Sequence, residues 1–141
     1  MPRYTGPVNF VLNAIREGKS RHNNRLHVSV DYNGEYYTVT HWHSKIAIGH
    51  GRELPDMMNL HGWTSATTLN LLNALGFYLQ SMKIKYGKPF RNEKTGRMNH
   101  NRGSVMHLNG RPLLGMDGEE PDYRSWYSKD GLWITDNFEP Y

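Results

Sequence analysis

Cysteine is absent from the 141 residues, which excludes disulfides, thiol catalysis and Cys-based zinc sites and leaves only His, Asp and Glu as metal ligands. Long apolar runs are also missing. The mean hydropathy is −0.76, and no stretch approaches the roughly 20 residues that cross a bilayer as a helix, so no membrane partner is expected. Met1 to Phe10 lack both a basic start followed by a hydrophobic stretch and a small-residue cleavage site. A cytoplasmic location is therefore expected. Charged residues make up only 21% of the chain and aromatic residues 12%, a balance that suits one folded domain spanning residues 1–141 rather than disorder.

What charge there is lies unevenly. Residues 1–111 hold 15 Lys and Arg against 6 Asp and Glu, whereas 112–141 hold 2 against 7. A basic body followed by an acidic, aromatic C-terminal segment at 116–141 implies attraction to polyanions, with the acidic end placed to dock on the body or temper that attraction. The exposed aromatics of that end also make self-association into a homo-oligomer an expectation.

Periodicity divides the chain. Val8, Val11, Leu12 and Ile15 recur at helical spacing between Pro7 and Gly18, which predicts a short first helix. Lys19 to Arg25 is a polar connector. From Leu26 the period becomes two, Asn33-Gly34 supplies a tight turn, and Tyr36–Thr40 and Lys45–Ile48 extend the pattern to a three-stranded meander, with Met57–Leu60 as a further short strand. Leu69, Leu72, Leu75, Leu79 and Met82 then recur as on one helical face, which predicts a single long helix over 65–86 stopped by Gly87 and Pro89. Lys88–Arg102 reads as a basic loop (88–103), Ser104–Leu108 as a strand before Asn109-Gly110, and Arg124–Thr135 as a hairpin turning at Asp130-Gly131. The expected fold is α+β: an antiparallel sheet of three to five strands, the long helix packed across it, and a short N-terminal helix. Trp63, Leu69, Leu72, Leu75, Leu79, Val28, Val30, Ile46 and Ile48 are its expected core.

The segment from Thr38 to Ile48, with Ile46-Ala47 near its end, is followed by Gly62-Trp63-Thr64-Ser65-Ala66-Thr67-Thr68 and Leu72-Asn73. It resembles small uncharacterised bacteriophage proteins in which a strand ending in Ile-Ala precedes a Gly-Trp-x-x-x-Thr-Thr helix start. The likeness covers about residues 38–75. It departs from the pattern at Ser44-Lys45, where a lone Thr commonly precedes Ile-Ala, and at Leu72, where a basic residue is common. What the resemblance implies is a viral origin, hence the host cytoplasm, and a fold module without an assigned activity.

Several residue sets carry chemical meaning. Lys83, Lys85, Lys88, Arg91, Lys94, Arg97 and Arg102, interleaved with Tyr86 and Phe90, suit contact with nucleic acid, since cations replace counterions on phosphates and aromatic rings stack on bases. Thr64 or Ser65 can cap the following helix. The same free N–H groups, with Thr67, Thr68 and a nearby Lys45, make an anion site. His41 and His43 alternate along a strand and would point to one face as weak metal candidates. Val105–Leu113 resembles the hairpin of His-Asn-His nucleases around its catalytic histidine, yet no histidine follows His107 to complete that family's metal set. His27-Val28-Ser29 matches half of a two-histidine phosphoesterase signature, and no second copy occurs. The expectation is a non-catalytic, cofactor-free accessory protein that binds nucleic acid through 83–102. The alternatives are a binder of a host protein or small nucleotide that inhibits a host defence system, and a metal-dependent nuclease or hydrolase.

Overall fold

A computed structural model describes residues 5–62 and 65–136, Thr5 by its backbone alone. Trp63 and Thr64, expected as a core residue and a helix cap, lie outside them. Helix α1 (Thr5–Glu17) forms as its spacing predicts, burying Val11, Ala14 and Ile15 and ending where Gly18 turns to φ 68°. Strands β1 (Arg21–Asn23), β2 (Val28–Asn33), β3 (Tyr36–His41), β4 (Ser44–His50) and β5 (Met57–Met58) follow, each antiparallel to the next. The alternation of Val28, Val30, Val39 and His41 sends those side chains to the helix-covered face.

The expected long helix and the three-to-five-stranded sheet beneath it are both overturned. Helix α2 covers only Ala66–Ala74. Its end is a Schellman motif: Gly76 takes φ 98°, its N–H reaches Asn73 O at 3.1 Å, and Phe77 N–H reaches Leu72 O at 3.0 Å. Beyond that stop the chain becomes β6 (Leu79–Arg91), paired with β7 (Met98–Leu108) and, through it, with β8 (Arg111–Pro112). Leu72, Leu75, Leu79 and Met82 satisfy the helical period, but Met82, Ile84 and Tyr86, alternating with Ser81, Lys83 and Lys85, equally satisfy period two. Gly76 decides between them, because only glycine enters the left-handed region without steric cost.

Strands β9 (Trp126–Ser128) and β10 (Trp133–Thr135) form the expected C-terminal hairpin, and β9 pairs with β5, giving a seven-stranded sheet ordered β1-β2-β3-β4-β5-β9-β10. One cluster of buried side chains joins α1, α2, both sheets and the connecting segments, running from Val11 and Ile15 through Tyr37, Val39 and Met58 to Leu72, Phe77, Leu108 and Tyr127. Of the expected core residues, Val28, Val30, Ile46, Ile48, Leu72 and Leu75 are buried, and Leu69 and Leu79 pack partly buried against them. Among the described residues no helix is long and apolar enough to cross a membrane.

Candidate nucleic-acid interface

The segment expected as a basic loop at 88–103 is the outer half of a two-stranded ribbon. In β6 and β7 the inner residues Val105 to Leu108 are buried, whereas Met82, Lys83, Lys85, Phe90, Met98, Arg102 and Ser104 are exposed. The tip is a hydrogen-bonded turn. Asn92 N–H donates to Arg97 O at 2.8 Å, Gly96 N–H to Asn92 O at 2.7 Å, and the Asn92 carboxamide oxygen accepts from Lys94 N–H at 2.9 Å and Thr95 N–H at 3.2 Å.

Register sorts the cations by face. Lys83 pairs with Ser104 and Lys85 with Arg102, so Lys83, Lys85 and Arg102 share one side of the ribbon. A bulge at Gly87-Lys88-Pro89 shifts β6 against β7. Counted along the uninterrupted β7, His100 and the Arg91–Met98 pair return to that same side. Met82, Ile84, Tyr86 and Phe90 occupy the other. Lys94 and Arg97 sit in the tip turn, and Lys88 lies at the bulge, where its ammonium is 3.5 Å from the Glu119 carboxylate. That ion pair, with Glu120 beside Gly87, places the acidic 117–122 segment against the middle of the ribbon, as the charge division implies. Among the described residues it is the only carboxylate contact that the ribbon cations make.

Of the residues expected at the anion site, Ser65 caps α2, and Thr64 lies outside the described residues. Ser65 has extended backbone and its hydroxyl accepts from Thr68 N–H at 3.5 Å, while the Ser65 hydroxyl also stands 3.3 Å from that of Thr67 and 3.2 Å from that of Thr68. Thr68 is buried and its hydroxyl lies 3.0 Å from His41 Nδ1. Lys45 is opposite Thr40, on the sheet face away from His41 and Thr68, so the cation and the threonine are not brought together. The Lys45 carbonyl accepts from His61 Nε2.

His41 and His43 do not alternate on one strand. His41 ends β3 with its ring in the core, while Trp42 and His43, at φ 50° and 67°, form the two-residue turn into β4. Among the described residues no group of three His, Asp or Glu is placed to hold a metal ion. His107 is buried and bonds its own strand at Val105 O, 2.9 Å away, so it faces no open site.

Burial holds the His41 imidazole below its ordinary pKa of 6.5, with His27 adding a smaller push the same way. The folded protein keeps this ring neutral while the unfolded chain takes up a proton, so the stability contributed at high pH is lost as pH falls from 6.5 through the depressed folded-state value. Chemical denaturation at pH 7.5 and pH 5 is expected to give a lower midpoint at pH 5, and His41→Asn, which keeps a hydrogen-bonding group near Thr68, to narrow the gap. An unchanged gap would show that other groups carry the pH dependence.

Sequence reasoning missed one feature. The turn Trp42-His43, together with His22, Asn23, Asn24, His27, Val28, Ser29 and Thr40, lines a cavity of about 440 Å³ at the β1–β2–β3 end of the large sheet. Three of these residues, His22, Asn23 and Asn24, come from the polar connector 19–25. Only the pair of residues between two alternating stretches, filled by Trp-His where Asn-Gly is usual, marks this place in the sequence. Comparison with protein-family models, with curated proteins and with solved structures gives no match.

Proposed function

We propose that the protein binds nucleic acid through the β6–β7 ribbon, without catalysing a reaction on it. The observation that carries this is the sorting of Lys83, Lys85, Arg91, Arg102 and His100 onto one exposed face that holds no acidic residue, with Lys94 and Arg97 at the tip. A two-stranded ribbon with its side chains fits the roughly 12 Å major groove of a duplex. The outer ten residues of β6 reach about 30 Å at some 3.3 Å per residue, enough to meet several phosphates along a groove. The binding proposed is electrostatic, with the Lys and Arg side chains on phosphates, contacts that carry no sequence information themselves.

Affinity for a 20-base-pair duplex, measured by fluorescence anisotropy between 50 and 300 mM salt, tests this. Neutralising about five phosphates gives a slope of log affinity against log salt near −4.5. A flat dependence, or no binding at 50 mM salt, would remove the ribbon as a polyanion site. A protein partner held by the apolar face of Met82, Ile84 and Phe90 would give that flat response.

A further inference from the structure

We infer that the cavity beside Trp42 binds an unpaired nucleobase, stacked on the indole. Three non-glycine residues in the left-handed region meet there: His27 at φ 54°, Trp42 at 50° and His43 at 67°. Histidine enters this region more readily than most residues, but for a side chain as bulky as Trp42 the conformation is an outlier, and such strain gathers where a site over-determines the backbone. The same chain makes its two-residue turns between β2 and β3 and between β7 and β8 with a glycine, as Gly34-Glu35 and Asn109-Gly110. Turning alone would not need Trp-His.

What the strain does is hold rings. Trp42 N–H donates to His27 O at 2.9 Å, and the His27 imidazole stacks on the indole with centroids 3.6 Å apart and planes 18° apart. His27 thus braces one side of the indole, and His41 meets its edge. Trp42 is 54% exposed despite carrying the largest apolar group in the turn. His43 lines the same space.

The rest of the lining says which planar ligand fits. His22, Ser29 and Thr40 stand in register across β1, β2 and β3 on one sheet face, and Asn23 and Asn24 line the cavity where β1 ends, so hydroxyl and amide groups border the stack. Neither Lys nor Arg lines the cavity, and Asp31 sits behind His22 and Ser29, 2.5 Å from His22 Nε2 and 3.4 Å from Ser29 Oγ. A phosphate would find no cation among the lining residues, the nearest by register being Lys45 opposite Thr40, and it would find a carboxylate nearby. A neutral heteroaromatic ring with donors and acceptors on its edge meets the indole with its face and the Ser, Thr and Asn side chains with its rim. The cavity volume of about 440 Å³ accommodates one base with part of its sugar.

The ligand can come as a free nucleoside or as a base in a single strand, and the test separates them. Adenosine, uridine and a single-stranded octanucleotide are titrated into the full chain, following amide shifts by NMR. Saturable binding of a nucleoside, with shifts at Trp42, His43, Ser29 and Thr40, is expected. Binding of the octanucleotide more than tenfold tighter than of either nucleoside assigns the site to a strand, and comparable binding assigns it to a free nucleoside. The double substitution Trp42→Asn with His43→Gly restores a relaxed turn, so it should raise the melting temperature while weakening binding roughly 5- to 150-fold, the usual range for a lost base stack. Thr40→Ala should weaken binding without a gain in stability. Adenosine carries no phosphate, so its binding is independent of the ribbon cations and of whether the ribbon binds duplex. The inference is overturned if no nucleoside or strand shifts these residues, or if the Asn-Gly turn binds as well as the native one.

Discussion

Replacing Lys83, Lys85 and Arg102 together by Glu is expected to lower affinity for duplex nucleic acid by roughly 10²- to 10³-fold at 100 mM salt. Each phosphate neutralised contributes about 0.9 to the salt slope, which at 0.1 M salt is a factor of about 8, and three such contacts multiply to about 500 before any repulsion by the new carboxylates. The three side chains are exposed and make no ion pair with any described residue, so the fold loses nothing by their replacement and the melting temperature should hold. Lys88→Glu is the internal comparison. Lys88 already faces Glu119 at 3.5 Å, so less of its charge is available to a phosphate, and a smaller loss is expected. If the triple variant binds duplex as the native chain does, the ribbon is not the contact surface.

The same ribbon shows what the sequence conceals. Its seven cations were legible as a candidate surface, because charge is read directly from residue identity. Their arrangement was not. A basic stretch rich in Asn and Gly looks like a loop, and only pairing over β7, with Phe90 opposite Asn99 and Tyr86 opposite Asn101, turns it into a two-faced element. The β2–β3 hairpin, by contrast, was readable because Asn33-Gly34 and the alternating Val28, Val30 and Val39 agree with each other and need no distant partner. The pairing of β5 with β9 brings Met58 beside Tyr127 across a long stretch of chain, which no local pattern encodes. The short α2 is hidden for a different reason: Leu72, Leu75, Leu79 and Met82 fit a helix while Met82, Ile84 and Tyr86 alternate as in a strand, and the Schellman glycine at 76 is the deciding signal. The Trp42 cavity needed three separate segments, 22–24, 27–29 and 40–43, to meet before any of its residues acquired a role.

A methyl group added at Gly49 should destabilise the protein by about 3 kcal/mol, against the usual sign for a strand. Glycine within a strand ordinarily costs about 0.5–1 kcal/mol relative to alanine, so Gly→Ala in β4 would be expected to help. Gly49 does not have the positive φ that would forbid alanine. The obstacle is Tyr37, its cross-strand partner, whose ring lies directly over the glycine: a Cβ there would stand 2.5 Å from Cζ and 2.8 Å from Cε1 and overlap the hydroxyl. Tyr37 has nowhere to go. It is fully buried in the core, and its hydroxyl donates to Glu53 O at 2.6 Å, so displacing the ring also breaks that bond. Burial raises the pKa of the same hydroxyl, which keeps it the neutral donor that the Glu53 carbonyl requires. Overpacking of this kind costs about 1–3 kcal/mol, and a lost buried hydrogen bond about 1 more. Urea denaturation of Gly49→Ala, Tyr37→Leu and the double variant gives the coupling. In the Tyr37→Leu background, where the ring is gone, Gly49→Ala should cost under about 1 kcal/mol. An equal cost in both backgrounds would mean that the strand, and not the aromatic lid on it, demands the glycine.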